Sequence, residues 1–232
     1  MKTIGLLGGM SWESTAGYYR AINQGIKKQL GGLHSAEIIM YSVDFAPIEA
    51  LQHSGNWQQT GEILSKAACA MEAGGADFFL ICTNTMHKVA EQVEAAVTIP
   101  LLHIADATGN ALQSKGIKKV GLLGTAFTME QDFYRGRLEK KFGLEVIIPE
   151  KENRQTVHDI IYQELCLGRI IPQSQAKYID IVDNLAHKGA EAVILGCTEI
   201  GMLIKESDVT LPLFDTTLIH AAAAVKKALA ES

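Results

Sequence analysis

Cysteine is scarce in this sequence. It occurs four times, at Cys69, Cys82, Cys166 and Cys197, with no Cys-x-x-Cys and no Cys/His spacing suited to zinc. No apolar run approaches the roughly 18–20 residues that a membrane span needs. The opening MKTIGLLGGMSWES carries one lysine and a short apolar stretch but no small-residue cleavage site, so no secretory leader is expected. A cytoplasmic protein with reduced thiols is the simplest expectation. Runs of like charge and low-complexity segments are also missing, and the net charge is −5. That excludes nucleic acid as the main partner, because binding phosphates needs a basic face. A small anionic substrate stays open, since it needs only a local positive site. The GLLGGM turn lacks both the G-x-G-x-x-G spacing and the Gly-Lys-Ser/Thr of a phosphate loop. It reads better as a tight turn beside a substrate.

What the chain does have is an internal repeat. Residues 4–9 read IGLLGG and residues 120–125 read VGLLGT. GADFFLICTNT begins at Gly75 and GAEAVILGCTE at Gly189; IPLLH begins at Ile99 and LPLFD at Leu211. The offsets are 116, 114 and 112 residues, in the same order, which implies two copies of one unit. In each copy, short unbroken apolar runs alternate with helical patterns. The runs are IGLLG, EIIMYSV, DFFLIC and PLLHI, then VGLLG, LEVIIP, AVILG and LPLF. Such runs suit strands buried on both faces, as in parallel sheets. Helices are expected at 14–30, 57–73, 129–141, 154–167, 174–187 and 216–230.

The alternation predicts an α/β fold: two pseudo-symmetric, doubly wound parallel-sheet domains with the active site in the cleft between them. The first domain is expected over 1–104 plus 214–232 and the second over 105–213. With no Gly/Pro/Ser linker, the halves should be close-packed.

The repeat also aligns chemistry. DFFLIC runs into Thr83-Asn84-Thr85-Met86-His87, and AVILG runs into Cys197-Thr198-Glu199. The offset of 114 makes Thr83 the counterpart of Cys197, each at a strand end before a helix start. Free N–H groups and the helix dipole there favour a carboxylate, and they should lower the pKa of a cysteine. Cysteines elsewhere read as small core residues, and His87 and His103 as structural histidines.

GLLGGMSWEST, TNTMH at 83–87, PLLHIADAT from Pro100 and GCTE at 196–199 resemble the aspartate/glutamate racemase family. The resemblance covers nearly the whole chain. It implies a two-domain α/β fold, commonly a homodimer, acting on a small-molecule amino-acid substrate without pyridoxal phosphate, metal or other cofactor. In that family two cysteines flank the substrate, one removing the α-proton and the other returning a proton on the opposite face. Here the first motif is Thr-Asn-Thr, with Cys82 one residue earlier. A one-residue step turns a side chain to the other face, so Thr83 rather than Cys82 is expected at the first acid/base position.

The resemblance makes Cys197 and Thr83 the catalytic pair of a racemase preferring L-aspartate or L-glutamate, because the second-half cysteine faces the L-enantiomer's proton. It further implies substrate contacts from Met10, Gln52, Asn84, Thr85 and Thr198, with Thr125 a weaker candidate. The stretch where some members carry a lysine holds Tyr162, Glu164 and Cys166. Two alternatives remain: a single-cysteine decarboxylase of malonate-type acids, and an amino-acid-binding protein that has lost catalysis.

Overall fold

The first element of the chain is a strand because its side chains are needed on both sides of a sheet. In the computed structural model, which describes residues 1–230, β1 (Ile4–Gly8) is completely buried. It sends Ile4 and Leu6 into one apolar cluster and Leu7 into another. The chain then runs through α1 (Trp12–Leu30), β2 (Ile38–Ser42), α2 (Phe45–Ser54), α3 (Trp57–Ala73), β3 (Phe78–Ile81), a 3-10 turn at Thr85–Val89 and α4 (Ala90–Glu94). It continues with α5 (Ile104–Ser114), β4 (Lys119–Gly124), α6 (Ala126–Glu130), α7 (Arg135–Phe142), β5 (Glu145–Ile147) and α8 (Lys151–Gln163). After a 3-10 turn at Leu165–Leu167 come α9 (Pro172–His187), β6 (Ala192–Gly196), α10 (Ile200–Leu203), β7 (Leu213–Asp215) and α11 (Thr216–Leu229).

These elements form two compact units, Met1–Ile104 with the C-terminal segment from Thr217, and Ala105–Thr216. The first holds a parallel sheet of order β2-β1-β3, extended by a single parallel bridge between Phe79 and Leu101. Side chains alternate along β3 as they do along β1. Phe78 and Leu80 join Tyr18, Ile22 and Ile26 of α1 and Ala221, Ala224 and Val225 of α11. Phe79 and Ile81 join Leu64, Ala67, Ala68 and Met71 of α3. Burying each large side chain stabilises the unit by about 1.5–3 kcal/mol. The helices start where the sequence supplies caps: Ser11 accepts from the Ser14 amide before α1, and Asn56 from the Gln59 amide before α3.

The second unit has the order β5-β4-β6-β7, again all parallel. β4 and β6 are buried, with Val120, Leu122, Leu123, Val193 and Ile194 inaccessible to solvent.

Four expectations need correction. PLLHI is not a full strand: only Leu101 bridges to Phe79, and α5 already begins at Ile104. β2 is not buried on both faces, because it is a sheet edge, and Met40 and Tyr41 are exposed. The single helix expected over 129–141 is two, α6 and α7, separated by a turn in which the fully buried Tyr134 anchors the chain. α8 ends at Gln163, and the rest of the expected helix is a 3-10 turn.

Candidate active site

The carboxyl ends of β6 and β3 carry the two segments singled out by the repeat, one in each unit. β6 ends at Gly196, which pairs with Gly124 of β4. Its backbone runs so close to β4 that a Cβ on Gly196 would lie 2.8 Å from the Leu123 carbonyl oxygen. A larger residue would push the strand end away. This close approach fixes where the chain leaves the sheet, and the next residue is Cys197.

Cys197 is buried, and its Sγ–H donates to Glu199 Oε2 at 3.0 Å. The Thr198 hydroxyl donates to the same carboxylate oxygen at 2.6 Å. Glu199 is itself only 4 % exposed. The thiol is held well above its ordinary pKa, first by burial, then by the Glu199 charge and by Cys166. This corrects the expectation of a lowered value. The helix after Cys197, α10, has four residues, too short for a strong dipole, and a carboxylate in contact outweighs it. Tyr178 of α9 belongs to the same neighbourhood. Burial raises its pKa first, and the charges of Cys197, Glu164 and Cys166 add to that. Its hydroxyl donates to the Val157 carbonyl at 3.1 Å.

In the first unit, β3 leads through Cys82 to Thr83. Cys82 is fully buried in the cluster with Tyr18, and burial alone pushes its thiol far up. Thr83 is half-buried, while Asn84 and Thr85 are buried. The Thr83 carbonyl accepts from His87 Nδ1 at 2.8 Å. The Gly-Gly turn after β1 lies in the same unit. Gly9 has a φ of 96° and donates its N–H to Thr15 Oγ1 at 2.8 Å. A side chain there would strike the backbone of Val43, so glycine is required.

The other candidates divide clearly. Met10 is 4 % exposed and belongs to the apolar cluster under α3. Gln52, in the last turn of α2, is buried with its amide 3.8 Å from the Met86 sulfur. Thr125 caps α6, its Oγ1 accepting from the Thr128 amide at 3.3 Å. Thr198 has its hydroxyl committed to Glu199. Two residues escaped the sequence reading. Glu199 stood in the quoted GCTE motif without a role, and His87 was read as structural. Among the described residues, no group of three or more His, Cys, Asp or Glu is arranged to hold a metal ion, and no helix is long and apolar enough to cross a membrane.

A family model described as Asp/Glu/hydantoin racemase matches residues 7–224. The crystal structure of a candidate Asp/Glu racemase from Yersinia pestis is 55 % identical, covers 99 % of this chain and 100 % of its own, and superposes with a TM-score of 0.94. An aspartate racemase homologue from Pyrococcus horikoshii OT3 is 36 % identical over 98 % of this chain and 99 % of its own, with a TM-score of 0.84. The broad specificity amino-acid racemase RacX of Bacillus subtilis is 23 % identical over 98 % of both chains.

Proposed function

The chain belongs to the Asp/Glu/hydantoin racemase family, and we propose that it racemises a small acidic amino acid, L-aspartate or L-glutamate, without a cofactor. Cys197 is the base that removes the α-proton of the L-form, and Thr83 supplies a proton on the opposite face. The observation that carries this reading is the Cys197 thiol hydrogen-bonded at 3.0 Å to the buried Glu199 carboxylate at the end of β6.

A thiol held above its ordinary pKa is a poor base in the free enzyme. The hydrogen bond gives its proton a place to go. An amino acid brings an ammonium group whose positive charge favours the thiolate and opposes the Glu199 effect. Proton transfer from sulfur to Glu199 then leaves a thiolate that takes the Cα proton, and a carbanion forms beside the substrate carboxylate. The Thr83 hydroxyl gives its proton to the other face and regains one from water. A hydroxyl is a much weaker base than a thiolate, so abstraction from D-substrates is the slow direction. The equilibrium ratio of one still ties the two directions together.

Asn84 and Thr85 are assigned to the substrate carboxylate, with Met10 and Gln52 shaping the wall behind them. We place the enzyme in the cytoplasm, as its four free thiols favour a reducing compartment. A homodimer is the proposed assembly, supported by exposed Trp12 and Tyr19 on α1 and Met40 and Tyr41 on β2.

The test is chiral chromatography of aspartate and glutamate after incubation with the protein. Formation of the D-forms from the L-forms supports the reading. Carbon dioxide release from a malonate with no racemisation would replace it with the decarboxylase, and tight binding without turnover with the amino-acid sensor.

A further inference from the structure

Two buried imidazoles in the first unit hold the backbone of one short segment, Leu102–Ile104, and neither takes part in the reaction as written above. The first is His87. Its Nε2 lies 3.2 Å from the Ile104 backbone nitrogen and its Nδ1 lies 2.8 Å from the Thr83 carbonyl oxygen. A backbone N–H can only donate and a carbonyl can only accept. The tautomer is therefore dictated by the partners: Nε2 is the bare acceptor and Nδ1 carries the proton. The imidazole is also neutral, since an imidazolium would aim an N–H at the Ile104 N–H. The second is His220 of α11. Its Nε2 donates to the Leu102 carbonyl at 2.7 Å, and its Nδ1 accepts from the Tyr18 hydroxyl of α1 at 2.9 Å. The Thr83 carbonyl is thus tied, through His87, to a segment that His220 ties to α1 and α11. His103 lies against His87 with ring centroids 4.4 Å apart and the rings tilted by 57°, and His87, His103 and His220 are all at most 5 % exposed.

β3 ends at Ile81, so Thr83 lies beyond the reach of its ladder. Something else must set its backbone, and the side chain follows the backbone. We infer that His87 is a positioning residue for Thr83, holding the second acid/base group by its own carbonyl through a neutral imidazole anchored on Ile104. The inference rests on the reading of Thr83 as the proton donor of the racemase. It predicts an effect confined to one face of the substrate. Exchange of the L-substrate α-proton depends on Cys197, which lies in the other unit. Formation of the D-product depends on Thr83.

The experiment compares wild type, His87→Ala and His87→Asn in deuterium oxide, following α-proton loss from L-aspartate by NMR and D-aspartate by chiral chromatography. The asparagine amide keeps a donor at the place of Nδ1. His87→Ala should lower D-product formation about tenfold relative to L-exchange, as expected of a small misplacement, with KM within about twofold because substrate binding is spared. His87→Asn should restore most of that ratio. Equal losses in both readouts, or no rescue by asparagine, would mean that His87 only supports the fold. Long-range proton–nitrogen NMR of the wild type gives an answer even where a variant fails to fold. A protonated Nδ1 and bare Nε2 at neutral pH are expected, and the opposite tautomer or an imidazolium overturns the inference. A wild type that exchanges no amino acid would instead sink the racemase reading, and the role of His87 in it.

Discussion

The Cys197 thiol donates to the Glu199 carboxylate two residues later, 3.0 Å away. Both groups are buried, so the proton they share lies in a medium that strengthens charge interactions. Burial first, and the neighbouring carboxylate second, disfavour the thiolate and hold the thiol well above its ordinary pKa.

The Glu199→Gln variant separates the two effects of that carboxylate. Its amide oxygen still accepts from sulfur, but the negative charge is gone. The Cys197 alkylation rate by iodoacetamide should therefore rise at lower pH than in the wild type. Racemisation should fall by at least about tenfold, because the proton acceptor is lost. An unmoved alkylation profile would show that the carboxylate does not control the thiol.

His220 predicts an acid limit to stability. Burial, before any other cause, holds its pKa down to about 3 from an ordinary 6.5. Below 6.5 the unfolded chain binds a proton that the folded chain refuses. Its share of stability is therefore complete above 6.5 and is lost as the pH falls toward 3, by about 1.4 kcal/mol per pH unit. Urea unfolding at a series of pH values should show this slope, reduced by one proton in His220→Gln. Identical slopes would contradict the assignment.

Gly196→Ala tests how tightly the strand end is set. The added methyl would meet the Leu123 carbonyl oxygen at 2.8 Å and Leu122 Cδ1 at 2.9 Å. Overpacking of this kind costs about 1–3 kcal/mol, and the displaced backbone carries Cys197 with it. Thermal melting should show the loss. Racemisation should fall by more than the remaining folded fraction explains, and activity in step with folded fraction alone would contradict the argument.

Much of the α/β fold was legible because a parallel strand covered on both faces has to be apolar throughout. IGLLG, VGLLG and AVILG met that demand and became β1, β4 and β6. PLLHI looked alike in sequence, but only Leu101 found a strand partner, and the helix start at Ile104 claimed the rest. α2 escaped notice because Phe45–Ser54 carries Pro47 in its first turn and buries only Ile48 and Gln52. Cys197 and Thr83 could be singled out by their repeat positions. The direction of the Cys197 pKa could not, because it depends first on how deeply the thiol is buried and then on which way the Glu199 side chain folds back. The contact of His87 with the Ile104 amide, seventeen residues on, is likewise set only by the folded chain. Sequence spacing carries neither fact.

In the proposed reaction a single thiolate, at Cys197, takes the α-proton. Proton NMR of L- and D-aspartate and glutamate in deuterium oxide, with wild type and Cys197→Ser, tests it most directly. Loss of the α-proton signal is expected from the L-forms, much slower loss from the D-forms, and none in the variant. Exchange that persists in Cys197→Ser, or no exchange from any of the four amino acids in the wild type, would contradict it.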